Sequence, residues 1–479
     1  MRKTARTQAN IIFYYVIYGV LQLLLISCFL LLPVSVAADV PDSDWVFDVT
    51  DYGADGSDNI ADTEAIQAAV DAALVYGKGT VYFPPGNYLV ERPILFEGNG
   101  SKSLTVRGSD DKMGYARLTG TAECTEIFNV KLEYNFHLYN MAFSSQGKHG
   151  SNLYIETVNA EIAHCDFSNT ANSAPPLVGM TGSNIKISDC TFHNANQNGY
   201  ALRCYAIDEI LNINNYITDN YFAHVGKGVL IDAETATNRP EGLKISRNVF
   251  LNTGNEQITV QTVLHCDIAN NMIDQCSGSS ILVNPKLLGV TGLYIVDNYI
   301  SPAAGWKSER WSGEAACIRV TDEAGASAAI LTITNNMMCY ADYGIAATGN
   351  SNTYIISGNT FNSILKAGIK MENTASCIIT ENLFPLNEKG SVSIDIFSEK
   401  GPFILSNNIM DGSYTLQVPP DQLTSEQNYL NGIRCEAPSD GTSEARVQGR
   451  TWLIAAAGLL VCTLPGICAL YRCRRIKSE

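Results

Sequence analysis

Charge is scarce in this chain. Asp, Glu, Lys and Arg make up 17% of its 479 residues against 46% hydrophobic ones, which excludes a disordered or heavily solvated protein and leaves apolar material for a large core. Cations are the scarcer sign, 32 Lys and Arg against 48 Asp and Glu. Eight of those cations but only one acid, Glu479, stand in residues 1–38 and 450–479, so the middle of the chain holds 24 basic against 47 acidic residues, a net of −23. A surface so acidic repels a phosphate backbone and excludes a general nucleic-acid binder. Histidine is rarer still, with six in all, and His193, His224 and His265 show no metal-ligand spacing. Cysteine is not lacking, with fourteen. Yet Cys165, Cys190, Cys266 and Cys377 fall inside strand-like repeats, where a thiol serves as a small buried hydrophobe, so most are expected to be unpaired.

The two ends differ from the middle. Arg2, Lys3 and Arg6 precede an apolar run from Ile11 to about Val34 and the small residues Val36, Ala37 and Ala38, the pattern of a secretory signal peptide or a retained signal anchor over residues 1–38. Thr451–Tyr471 is about one membrane thickness long at ~1.5 Å per residue. Arg472, Arg474 and Arg475 follow at once, as basic residues do on the cytoplasmic side. The expected organisation is a folded body over 39–415, a stalk over 416–450, a transmembrane helix over 451–471 and a basic cytoplasmic tail over 472–479. The body would lie on the extracytoplasmic side of the membrane.

What fills the middle is a repeat. "FHLYNMAF", "IKISDCTF", "LKISRNVF", "LYIVDNYI", "YIISGNTF" and "FILSNNIM" share period-two apolar residues, then a small polar residue, then a large apolar one. The key position is Met141, Cys165, Cys190, Asn220, Asn248, Asn271, Asn298, Asn336, Asn359, Asn382 and Asn408, in steps of 23 to 38 residues. Recurrence on this scale, with no helical segment between strands, predicts an all-β solenoid whose rungs stack ~4.8 Å apart. Asn suits the turn because its amide can hydrogen-bond the Asn above and below as a ladder. The open first rung needs a lid, and "ADTEAIQAAVDAALVYG" supplies a helix. Asp62 or Thr63 would cap it, Ile66, Ala69, Val70, Ala73 and Leu74 form its apolar stripe, and Gly77 ends it.

The stretch Val49–Val90, "VTDYGADGSDNIADTEAIQAAVDAALVYGKGTVYFPPGNYLV", resembles the N-terminal signature of the pectate-lyase-like superfamily. The resemblance is in particular to the rhamnogalacturonase, polygalacturonase and epimerase-like proteins. The resemblance implies a single-stranded right-handed parallel β-helix reaching to about Tyr414, and it implies polysaccharide chemistry. The same fold also serves phage tailspikes and non-enzymatic repeat proteins, so function has to come from the site. There the family pattern breaks down. The rung after Asp232 reads "TVQTV" in place of a D-D pair, the rungs carry no G-H-G or R-x-K, and the epimerase D-P-H-[DE] motif is absent.

A second strand in each rung, as in "GVLIDAE", "QITVQTV" and "SILVNPK", places Arg203, Asp232, Gln261, Asn284, Thr321, Thr348, Glu372 and Asp395 in one outward column. Asp232 and Glu234, two residues apart, face the same way with backbones ~6.7 Å apart, compatible with the paired carboxylates of glycoside hydrolysis. Arg203 on the preceding rung would stack near Asp232, completing a candidate catalytic set of Asp232, Glu234 and Arg203. Gln261, Asn284, Lys286, Arg319 and Asp322 are candidate substrate contacts. The loop Ser301–Cys317 adds Trp306 and Trp311 as sugar-stacking surfaces. Hydrolysis leads. Uronate elimination is the alternative, with Lys286, Arg319 or Arg203 neutralising the substrate carboxylate and calcium as its one conceivable metal. A third reading is a non-catalytic glycan-binding or surface structural protein. The expected partners are a polysaccharide, acidic ones included, and the membrane.

Overall fold

The computed structural model describes residues 45–435, apart from 99–102, 110–114, 148–149, 170–174, 194–198, 304–313, 322–325, 350–352 and 386–390. The expected signal segment 1–38 and the apolar span 451–471 lie outside the described residues. Among the described residues no helix is long and apolar enough to cross a membrane.

The body is the expected parallel β-solenoid. Each strand pairs in parallel with its counterpart one rung on: Val229 with Ile258, Ile258 with Ile281, and Ile281 with Ile318. Period-two alternation follows directly, since these residues are fully buried while Leu230 and Leu282 between them face out. Directly above one another in the core, Phe143, Phe167, Phe192, Phe222 and Phe250 stack with centroids 4.6–5.3 Å apart. Each stands two residues after a ladder position, which explains the large apolar residue in the repeat.

At the turn the chain reverses through a residue of positive φ, such as Arg247 (56°), Asn270 (57°) or Asp297 (56°), and the next residue is the ladder Asn. Asn248 Nδ2 donates to Ile217 O (2.8 Å) and to Asn271 Oδ1 (3.1 Å), and the Asn248 N–H donates to the same oxygen (2.9 Å). Each buried amide is thus answered above and below. Cys190 ends the ladder, its N–H donating to Asn220 Oδ1 (3.0 Å) and its thiol lying 3.7 Å from Ile162 O. Nine described cysteines are free and buried, and burial pushes the Cys204 thiol up to about 12.

The helix Thr63–Tyr76 packs its expected stripe against the first rungs and ends at Gly77 in the left-handed region (φ 91°). Its polar start behaves differently from the expectation. Asp62 stands at the N-cap position without capping: its carboxylate accepts from the N–H of Asp55 (2.7 Å) and Leu89 (2.9 Å). Thr63 accepts from Glu91 N (2.9 Å), so both side chains pin the lid to the rung beneath. At the other end parallel pairing passes residue 415, where the body was expected to stop. The ladder continues to Asn428, Met410 pairs with Leu430, and Asn428–Leu430 then turns back as an antiparallel hairpin with Ile433–Cys435.

Candidate active site

On strands Tyr200–Ala206 and Lys227–Ala233, Arg203 shares its outward face with Tyr205, which is buried beneath the guanidinium, and Leu230 shares the same face with Asp232. The register sets Tyr205 beside Asp232 and Arg203 beside Leu230. The expected column was therefore displaced by two residues at Arg203. The same displacement recurs at Asp395, which pairs with Lys370 and not with Glu372. A slip of two keeps every side chain on its face, so the cluster survives. The long guanidinium reaches diagonally, with Nε 2.9 Å from Asp232 Oδ1, Nη2 2.9 Å from Oδ2, and Nη1 3.4 Å from Glu234 Oε1. It also lies 4.0 Å over the Tyr205 ring, so a cation–π contact fixes the plane from which both carboxylates are held.

The two carboxylates differ in environment. The Asp232 side chain is 13% exposed and that of Glu234 is 49% exposed. Burial lifts the Asp232 carboxyl above the ordinary carboxylate range. The Arg203 hydrogen bonds and charge oppose this without cancelling it, Glu234 adds to it, and the charge of Lys286 opposes it. Arg203 itself is held more firmly protonated: burial, the largest single influence, works against its charge, and the Asp232 hydrogen bonds together with the charges of Asp232, Tyr205 and Glu234 outweigh it. Tyr154 lies against Tyr205 and donates its hydroxyl to Glu156 Oε2 (2.6 Å), and burial raises both phenols.

Along the same face, Gln261 follows Asp232 by one rung, its N–H donating to Ile231 O (2.8 Å). Two rungs further a cleft of about 280 Å³ opens, lined by Glu256, Ser279, Asn284, Glu314, Arg319 and Thr321. Asn284 Oδ1 and Thr321 Oγ1 are buried there with no hydrogen-bond partner. Arg319 Nε donates to Ser279 Oγ (3.1 Å), and its Nη2 donates to the Glu314 carbonyl. Lys286 is exposed, anchored by its main chain to Gln261 O (2.8 Å). The structure therefore brings Arg203, Asp232 and Glu234 into one cluster, and Asn284 and Arg319 into one cleft. Trp306, Trp311 and Asp322 lie outside the described residues.

Sequence reasoning passed over Tyr205, Tyr154 and Ser279. Tyr205 was in reach, because "YALRCYA" alternates, but the two-residue slip put Arg203 in its place. Among the described residues no three His, Cys, Asp or Glu stand together as a metal site. Asp232 and Glu234 are turned to Arg203 and do not present the converging oxygens that calcium takes.

The family model described as Rhamnogalacturonase A/epimerase, pectate lyase-like, matches residues 46–281, which span the lid helix and the Arg203–Asp232–Glu234 cluster. The chain thus carries the pectate-lyase-like signature read from Val49–Val90. Alginate lyase 7 of Azotobacter vinelandii is 54% identical over 44 residues, 9% of this chain and 5% of that protein. Mannuronan C5-epimerase AlgE1 of the same organism is 53% identical over 59 residues, 12% of this chain and 4% of the relative. The chain spans only a small fraction of the length of these relatives. Among solved structures, a double-mutant tailspike protein of E. coli bacteriophage HK620 superposes with a TM-score of 0.55 at 11% identity, covering 81% of this chain and 79% of that one. At that identity the likeness speaks for the fold alone.

Proposed function

We propose that this protein is a membrane-anchored, extracytoplasmic polysaccharide-cleaving β-helix that acts as a glycoside hydrolase on the face from Arg203 to Thr321. The observation that carries this reading is one guanidinium holding two carboxylates of unequal burial. Unequal environments separate the two roles that hydrolysis needs. Asp232, buried and raised, is the acid: its proton goes to the glycosidic oxygen as the bond to the anomeric carbon breaks. Glu234, half exposed, is the base: it takes a proton from the water whose oxygen attacks that carbon. Asp232 becomes charged as its proton leaves, and Arg203 at 2.9 Å answers that charge, so the ion pair strengthens as the reaction proceeds. Asn284 Oδ1 and Thr321 Oγ1 would accept hydroxyl hydrogens of a neighbouring sugar, filling acceptors otherwise buried unpaired.

Uronate elimination is the second reading, favoured by Arg203 standing beside the Tyr205 phenol and by the activity that the name of alginate lyase 7 declares. The basic–apolar–small start of the chain and the apolar, then basic, end support export and anchoring. The test is product analysis of the whole chain on a panel of neutral and acidic polysaccharides. New reducing ends without ultraviolet absorbance support hydrolysis. An unsaturated-uronate absorbance replaces it with elimination, and binding without products replaces both with a lectin-like role.

A further inference from the structure

The cleft at Asn284 holds a more specific arrangement than a polar groove requires. Leu282 pairs with Arg319 on the next rung, so Asn284, two residues along the same face, stands diagonal to the guanidinium. Three different surfaces therefore meet in one cleft of about 280 Å³. The first is an acceptor, since Asn284 Oδ1 is buried with no hydrogen-bond partner. Its side-chain amide makes no hydrogen bond among the described residues, so a half-turn that brings the oxygen to the cleft breaks none. The second is a donor. Arg319 gives Nε to Ser279 Oγ (3.1 Å) and Nη2 to the Glu314 carbonyl, and among the described residues its Nη1 makes no hydrogen bond. The third is apolar, the half-buried Leu282 flanked by both.

We propose that this cleft is a subsite for an N-acetylated amino sugar, which rests on the reading of the Arg203–Thr321 face as the glycan-binding face. A secondary amide in its trans form points its N–H and its C=O in opposite directions. It therefore needs an acceptor on one side and a donor on the other, as Asn284 and Arg319 stand, and its methyl needs the apolar surface that Leu282 supplies. A plain sugar hydroxyl fills the acceptor but gives Leu282 nothing to cover. A uronate carboxylate meets Arg319 but has no hydrogen for Asn284 Oδ1, which stays buried and unpaired. A free amine meets Asn284 but brings neither a carbonyl for Arg319 nor a methyl for Leu282. Thr321 Oγ1, unpartnered one rung on, is left for a ring hydroxyl. Asn284 lies two rungs from Asp232, ~9.6 Å at ~4.8 Å per rung, so the acetamido sugar sits away from the bond that breaks. It decides which glycan is held, not how that glycan is cleaved.

The experiment is calorimetric titration of the whole chain, carrying Asp232→Asn so that the glycan stays intact. The probes are an N-acetylglucosamine tetramer, its de-N-acetylated counterpart, cellotetraose and tetragalacturonate. The acetylated tetramer should bind about tenfold tighter than any of the others, the scale on which a pocket detects a missing group. Leu282→Ala and Asn284→Leu should each weaken that binding about tenfold and leave cellotetraose within about twofold. Asn284→Leu removes a buried acceptor that has no partner, so its unfolding midpoint should hold or rise, which separates a binding role from a structural one. Equal affinity for the acetylated tetramer and cellotetraose, tighter binding of tetragalacturonate, no binding of the acetylated tetramer, or acetyl selectivity that survives Asn284→Leu would each overturn the proposal, even where products from cellotetraose uphold hydrolysis. Acetyl-selective binding that Asn284→Leu abolishes, with no products from any glycan by the unmutated chain, upholds the subsite and removes hydrolysis instead.

Discussion

Arg203 holds both Asp232 and Glu234, and if Asp232 is the acid of the proposed hydrolysis, the pH profile is the sharpest test at the level of single residues. The folded pKa of Asp232 is raised from 3.8, chiefly by burial. The acid form is therefore present below that raised value and is lost as pH rises through it, so kcat should fall along an alkaline limb. Removing the guanidinium removes the opposing influence on Asp232. Arg203→Met should thus move the limb to higher pH while lowering kcat, and a limb that stays in place would detach Asp232 from the acid role. Asp232→Asn and Glu234→Gln should each cut kcat by roughly 10²–10⁴, leaving substrate affinity within a few-fold, since general acid or base catalysis contributes on that scale and amides keep the shape and hydrogen bonds. Steady-state kinetics on the polysaccharide that gives products would show whether they do. These residues were legible because alternation fixes which side chains face out. The partner of each was not, because parity is indifferent to a slip of two and only the pairing itself, Tyr205 with Asp232, resolves it.

The ladder and the lid set the stability of the elements. In Asn271→Leu, the Asn248 N–H and Nδ2 lose their acceptor and Ile245 O loses a donor 2.9 Å away, so buried polar groups are stranded and the fold should lose roughly 1–3 kcal/mol. Phe222→Ala removes a ring stacked 4.6 Å from each neighbour and should cost roughly 3–5 kcal/mol. Chemical denaturation measures both, and an unmoved midpoint for Asn271→Leu would show the ladder to be dispensable. Gly228 marks a tighter constraint, since a Cβ there would lie 2.1 Å from Gln257 O, within the backbone of the next rung. The ladder could be read from the sequence because stacking forces equivalent residues to recur. Its last step, Asn428 in "LTSEQNYL", fits the same pattern but follows Asn408 by only 20 residues, shorter than any other step, and so escaped notice. The role of Asp62 and Thr63 was not legible at all. An N-cap and a clasp on the neighbouring strand call for the same short polar acceptors, and only Leu89 N and Glu91 N tell them apart.

Across the whole molecule cations are few, and among the described residues most of those on the active face are already engaged. On the active face Arg203 is paired with Asp232, Lys227 with Glu256, Lys366 with Glu314 and Lys370 with Glu372, so a polyuronate would have to displace carboxylates from them. Composition alone disclosed the excess of acid in the body. It could not disclose that most of the cations on this face, the exposed Lys286 apart, are neutralised in place, which depends on register. The physical consequence favours a neutral glycan and hydrolysis over a uronate and elimination, and it fixes the sign of a salt effect. A polyanion approaching a body of net charge −23 is repelled, and salt screens that repulsion over a Debye length of about 10 Å at 0.1 M. Raising sodium chloride from 20 to 200 mM should therefore strengthen whatever weak affinity polygalacturonate has and leave the affinity for a neutral polysaccharide within about twofold, as screening acts only on the charged ligand. Binding isotherms at the two salt concentrations read this directly. A polygalacturonate affinity that falls steeply with salt would mean that Arg203, Lys286 or Arg319 meets the uronate after all, and the catalytic reading would then pass to elimination.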